Sequence, residues 1–261
     1  MRGPVSSAAA SVMVPAGLAQ ASAPTATAVG ALPTLAGGRL VDVTGQQGAR
    51  ERMVQRLRGL QGLHPAVIAA MRDVPRHLFV DSALVGKAYE ENSLPIGFGQ
   101  TISKPAVVAR MLSLIMETVG SAHAERITGR VLEIGTGCGY QAMVMSRLAD
   151  EVYSIERLRG LHDRARANLR PMRVANLHLL FGDGMAGYAR GAPYAAIVSA
   201  AGGDAIPQAW VEQLAVGGRI VAPTATAQGH QVLVVVDKTP TGVRQQTLEG
   251  VHFVPLKSGV D

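Results

Sequence analysis

Three acids stand where apolar runs break into glycine or end a strand pattern: Glu133, Glu156 and Asp183. The first lies in Arg130–Tyr140, RVLEIGTGCGY, where Val131, Leu132 and Ile134 lead straight into Gly135. Such a run reads as a buried parallel strand ending in a tight turn, with a helical pattern restarting at Tyr140. Gly135, Gly137 and Gly139 remove side chains where the backbone must bend and where a ligand can approach it. Glu156 closes a second strand pattern, EVYSIER over Glu151–Arg157, about 20 residues past the first glycine, the distance at which an acid meets ribose hydroxyls in nucleotide-binding sheets. Asp183 sits between Gly182 and Gly184 at the end of a third strand pattern, His178–Phe181. There its carboxylate or the neighbouring backbone would lie beside an adenine, although Gly-Asp-Gly is also a common turn.

The glycine spacing is G-x-G-x-G, not the G-x-G-x-x-G of dinucleotide sites. An acid two residues before the first glycine would repel a pyrophosphate but accept hydrogen bonds from a cationic amino group. The pattern therefore favours S-adenosylmethionine over NAD.

Further strand patterns follow at Tyr194–Ser199, Arg219–Ala222, Gln231–Asp237 and Val251–Leu256, with helical stretches at Gln141–Leu148, Leu158–Leu169 and Pro207–Leu214. Alternating strands and helices imply right-handed crossovers and a mostly parallel sheet covered on both faces. No helix-length segment separates the last two strands, so they are expected to pair antiparallel at the sheet edge. The fold class is α/β: a Rossmann-like, seven-stranded, mostly parallel sheet of the S-adenosylmethionine-dependent methyltransferase type, with an antiparallel edge strand.

Of the 261 residues, the first 45 form an Ala/Ser/Pro/Thr/Gly-rich, charge-poor extension expected to be disordered, and 46–261 the methyltransferase domain. Ala19-Gln20-Ala21 resembles a small-residue cleavage site, but the flanks are poor for a secretory signal. A single cysteine, Cys138, excludes an internal disulfide and suits a reducing cytoplasm, and with no activating histidine nearby it reads as a small turn residue. Seven histidines without ligand spacing predict no metal. The formal charge of +6 includes arginines 157, 159, 164, 166, 170 and 173, but stacking aromatics are scarce, so no obligatory nucleic acid is expected. A second basic cluster, Arg50 to Arg58, shares its helix with an apolar stripe of Met53, Leu57 and Leu60 that must pack on the domain. No stretch approaches a membrane span.

The long segment AYEENSLPIGFGQTISKP, Ala88–Pro105, precedes a helix over Ala106–Met116 and is rich in turn residues, yet it carries apolar anchors. Here the chain closely resembles the protein-L-isoaspartate O-methyltransferase family. The resemblance runs from Gln47 to Leu256 and is carried by VPRHLFV at 74–80, AYEENSLPIGFGQTIS at 88–103, VLEIGTGCGY at 131–140, GDGMAGY at 182–188, IPQAWVEQLAVGGRIVAP at 206–223 and FVPL at 253–256. It implies methylation of the free α-carboxylate of L-isoaspartyl residues in damaged proteins and peptides, initiating repair. It places Ser103 in the active site and Thr101, Ile102 and Ser103 over the methyl donor. Glu133, Gly135, Gly137, Glu156, Asp183 and Gly184 map to donor-binding positions. A cytoplasmic monomer is expected, with Tyr89–Thr101 as lid and peptide wall. Ser103 also fits an ordinary helix N-cap before Pro105. Glu91, Asn92 and Ala106 depart from the family pattern. The alternatives are a methyltransferase for RNA or a small molecule on the same fold, and a donor-binding protein without turnover.

Overall fold

The computed structural model describes residues 35–36, 39–40, 45–117 and 125–261. The expected extension over residues 1–45 lies outside the described residues, apart from Gly45 and a two-stranded pairing of β1 (Leu35–Ala36) with β2 (Arg39–Leu40). Helices α1 (Gln47–Arg58) and α2 (Pro65–Asp73) come next. Met53 and Leu57 of the expected stripe are buried, whereas Leu60 lies past the end of α1 and is half exposed. A hairpin of β3 (Leu94–Gly97) and β4 (Gln100–Ile102) then leads into α3 (Pro105–Met116).

The rest is the alternating unit: β5 (Ile127–Ile134), α4 (Tyr140–Ser146), β6 (Ala149–Glu156), α5 (Arg159–Leu169), β7 (Leu177–Phe181), β8 (Tyr194–Ser199), α6 (Gln208–Gln213), β9 (Leu214–Ala225), β10 (Gln231–Thr239) and β11 (Gly242–Val251). One seven-stranded sheet has the order β11-β10-β9-β8-β5-β6-β7. Strands β9, β8, β5, β6 and β7 are mutually parallel. The expected antiparallel element is β10, which pairs antiparallel with both β9 and β11. The last strand is not Val251–Leu256, as the apolar run suggested. It is the polar stretch Gly242–Val251, while Pro255 makes only an isolated bridge to Gly202. An exposed edge strand needs no continuous apolar run, which is why hydrophobicity alone misplaces it.

Strand alternation divides the core into two layers. Val131, Val198, Val221 and Val235 face the α1–α4 side, whereas Leu132, Ile197, Ile220 and Val234 pack with Trp210 of α6. Chain order reverses direction between β5 and β8, and ligands of open α/β sheets bind beyond the strand ends at such a switch point.

The short helix α6 depends on one side chain of β10. Lys238 Nζ donates to the carbonyls of Val211 (2.8 Å), Leu214 (2.7 Å) and Glu212 (3.3 Å), carrying positive charge to the helix C-terminus. Replacing Lys238 with Met is expected to lower unfolding free energy by about 2 kcal/mol, the scale of lost hydrogen bonds to a charged group. Urea titration would read this as a lower midpoint at constant slope.

Candidate active site

The glycine turn is built by backbone hydrogen bonds to the end of β6. Gly135 and Thr136 both donate to the Ile155 carbonyl, at 2.9 and 3.2 Å, and Gly137 donates to Glu156 Oε2 at 2.9 Å. Gly137 has φ +56°, and a Cβ there would stand 3.1 Å from Ile96 Cδ1 of the β3–β4 hairpin. A side chain at that position would push the hairpin away from the turn.

Between the strand ends and the hairpin lies a cavity of about 430 Å³, walled by the Gly135–Cys138 turn, Glu156, Gly184 and Thr101–Ser103. Its volume falls within the range of small-molecule sites. Glu156 is only 4% exposed. Its Oε2 is held by Gly137 and its Oε1 by the Leu158 N–H at 2.9 Å, so the carboxylate is aimed by two main-chain donors and keeps lone pairs for a ligand. Tyr140 OH and Gln141 Nε2, from residues on the same wall, are buried without a hydrogen-bond partner. A held carboxylate beside a bare glycine turn fits a polar, hydroxyl-bearing nucleoside ligand.

The other two acids stand elsewhere. Glu133 is completely buried and does not line the cavity. Strand alternation turns it away from Leu132 and Ile134 and towards Ser154 and Gln141. The Ser154 hydroxyl donates to its Oε2, and Ser154 Oγ in turn lies 2.6 Å from Thr136 Oγ1 on the cavity wall, so Glu133 reaches the site only through this chain. Its Oε1 has no partner. Burial pushes its pKa up to about 8, with the Glu156 charge adding to the rise and Ser154 and Gln141 opposing it. Asp183 also lies off the cavity wall, while the neighbouring Gly184 is on it. Asp183 Oδ1 caps the following short turn by accepting from Met185 N–H (2.8 Å), and its Oδ2 accepts from Gly259 N–H (2.7 Å). Burial pushes the Cys138 thiol up, consistent with an inert residue.

The hairpin covers the opposite side. Gly97, Phe98 and Gly99 all have positive φ, which turns Phe98 over the start of α5. A Cβ on Gly160 would overlap the tip of the Phe98 ring. Arg164 of α5 anchors the hairpin through the Ile96 carbonyl (2.7 Å) and Asp81 (3.0 Å). The expected lid over Tyr89–Thr101 is thus a loop and an anchored hairpin. Ser103 lines this cavity and also a second, outer groove of about 1280 Å³. Ser103 is not the cap of α3. Lys104 holds that position without a side-chain bond, and Glu91 Oε1 accepts from Ala106 N–H at 3.0 Å instead. The departures at Glu91 and Ala106 are therefore partners in one helix-start contact.

A family model described as protein-L-isoaspartate(D-aspartate) O-methyltransferase matches residues 48–261. The chain belongs to that family. A protein-L-isoaspartate O-methyltransferase from Leptothrix cholodnii is 58% identical over 231 residues, covering 88% of this chain and 79% of the relative. One from Burkholderia mallei is 56% identical over 212 residues, covering 81% of this chain and 64% of the relative. A solved protein-L-isoaspartate O-methyltransferase superposes with TM-score 0.72 at 26% identity, covering 81% of this chain and 67% of that one. A Plasmodium falciparum structure of the same description, in complex with S-adenosyl-L-homocysteine, shares the fold with TM-score 0.68 at 20% identity, covering 81% and 98%. Among the described residues, no helix is long and apolar enough to cross a membrane.

In this family member, one wall of the cavity lies outside the donor-binding motifs. Phe98 belongs to the segment expected as lid, whereas Pro255, Lys257 and Asp261 reach the rim only through tertiary contacts. The C-terminal segment is pinned by Asp261 N–H to the Arg157 carbonyl (2.9 Å) and by Arg159 N–H to the Asp261 carbonyl (2.8 Å).

The raised pKa of Glu133 has a thermodynamic sign. Between its ordinary value of 4.5 and about 8, the folded chain holds a proton that the unfolded chain has released, so stability falls as pH rises, by up to about 1.4 kcal/mol per unit. Glu133→Gln removes that dependence. Melting curves from pH 5 to 8 should show the variant gaining on the parent as pH rises; a constant gap would contradict a protonated Glu133.

Proposed function

We propose that this chain transfers a methyl group from S-adenosylmethionine to the free α-carboxylate of L-isoaspartyl residues in damaged proteins and peptides, initiating their repair. The observation that carries the reading is Ser103, the junction of a nucleoside-sized cavity and a much larger open groove. An enzyme joining a small donor to a peptide needs those two spaces to meet at one point.

Glu156, with the lone pairs left free by Gly137 and Leu158, accepts from the donor's ribose hydroxyls. Gly135, Gly137 and Gly184 let the backbone approach the donor closely, and Thr101 and Ile102 cover it. Glu133 acts from behind the wall through Ser154 and Thr136. With Asp183 occupied by its own turn and by Gly259, contacts to the adenine edge fall to the backbone beside Gly184. When bound, the donor supplies an electrophilic sulfonium methyl. A carboxylate with its pKa near 4 is already ionised at neutral pH, so the site needs no general base. What the protein contributes is placement in line and exclusion of water. Ser103 orients the acceptor carboxylate from the boundary between the two spaces.

The outer groove, bordered by Lys104, Arg110, Gln231 and His252, admits an extended peptide held by main-chain hydrogen bonds, which tolerates many flanking sequences. The catalytic domain is 46–261, a reading supported by the family match beginning at residue 48. It works as a cytoplasmic monomer without nucleic acid; what supports the monomer is that one chain lines both cavity and groove.

Labelled donor offered with a matched pair of peptides, isoaspartyl and aspartyl, should methylate only the first. Binding of donor with transfer to neither would overturn the assignment and direct the search to RNA and small acceptors. Ser103→Ala is expected to lower kcat/KM for the isoaspartyl peptide about tenfold to a hundredfold, the scale of one hydrogen bond to a charged group, with donor affinity unchanged. Glu156→Ala should do the reverse, weakening donor binding about tenfold or more by calorimetry.

A further inference from the structure

The VPRHLFV motif places one residue that the donor site does not explain. Arg76 opens a short helical turn, Arg76–Phe79, and is fully buried. Its Nε donates to the Ala88 carbonyl at 2.7 Å and its Nη2 to the Ser103 carbonyl at 2.7 Å, while among the described residues Nη1 has no well-aligned partner and only the neutral Tyr140 side chain beside the guanidinium. The guanidinium lies 4.8 Å from the centre of the Tyr140 ring. Its ionisable neighbours carry no compensating charge at neutral pH. Burial pushes the Tyr140 phenol up to about 12 and raises the Cys138 thiol. Among the described residues, the acid whose charge acts on Arg76 is Glu91, more weakly than Tyr140 or Cys138, and Glu91 is exposed and engaged at the start of α3.

Buried charges are normally paired, because removing an ion from water costs more than two carbonyl contacts return. A cation left without a counter-ion directly behind Ser103 gains one when an anion docks at Ser103. We propose that Arg76 is the positioning residue for the acceptor carboxylate. It holds the Ser103 main chain in place, and its unneutralised charge draws an anionic acceptor to that serine from the groove side. The inference rests on the isoaspartyl reading above and adds to it a source of selectivity. The site would prefer a carboxylate over a neutral group of the same shape.

The test compares an isoaspartyl peptide with a matched peptide whose free α-carboxylate is replaced by a carboxamide. Dissociation constants of both are measured on the S-adenosylhomocysteine-loaded full chain. The wild type should bind the carboxylate about tenfold or more tightly, a modest yield for a poorly screened charge. Arg76→Met should bring that ratio close to one, with the loss in turnover falling on KM more than on kcat. Arg76→Lys, which keeps the charge but not the fork, should retain much of the ratio while kcat falls. Equal weakening of both peptides in Arg76→Met would mean a purely structural role and overturn the proposal. If the Met variant does not fold, a wild-type ratio near one, or an Arg76→Lys variant that loses the ratio with its melting temperature unchanged, overturns it equally. Wild-type methylation of the isoaspartyl peptide keeps this failure separate from failure of the underlying function.

Discussion

The architecture of the site depends on one buried carboxylate. Glu156 ends β6 and accepts from Gly137 on one side and Leu158 on the other, so a single side chain fixes the turn after β5 against the start of α5. Each bond is charge-assisted and shielded from water, which makes it stronger than its counterpart at the surface. The strands alone would bring β5 and β6 side by side without fixing the shape of the loop between β5 and α4. The carboxylate converts parallel pairing into a cavity wall.

Around that anchor the protein keeps several polar groups under-satisfied. Among the described residues, Glu133 Oε1, Tyr140 OH, Gln141 Nε2 and Arg76 Nη1 are buried without a well-aligned hydrogen-bond partner. Groups of this kind are scarce in folded proteins. The elevated pKa of Glu133 has the same origin: hydration has been withdrawn, and Ser154 and Gln141 return only part of what burial costs the charged form. The site is stabilised from outside by apolar layers on both faces of the sheet, which allows its own polar groups to remain poised.

Closure of the cavity comes from segments far apart in the chain. The β3–β4 hairpin is held to α5 by Arg164, and the C-terminal residues are held to Arg157, just before the same helix, and to Arg159 at its start. Helix α5 is thus the common support of both covers. The arginines in and just before it, which by count suggest a nucleic-acid surface, are used in part on these contacts: Arg157 reaches the Gly259 carbonyl, Arg164 the hairpin, and Arg159 lies over the Phe181 ring.

Local pattern was enough to read the strand succession from β5 to β10, the parallel sheet, the glycine turn and Glu156 at its strand end, because strand alternation, chain reversal at glycine and the acid at a strand end are properties of short segments. The VPRHLFV and QTIS segments could be singled out, but not what they touch. Tertiary structure alone decided that Glu133 faces Ser154 and not the cavity, that Asp183 caps its own turn, that Glu91 serves the start of α3 in place of Ser103, and that the last strand is the polar segment Gly242–Val251. It also placed Arg76 behind Ser103, 27 positions away in sequence. The reason is physical. Spacing along a chain determines which residues share a face, whereas the direction of a carboxylate and the neutralisation of a charge depend on partners that only folding brings within hydrogen-bond distance.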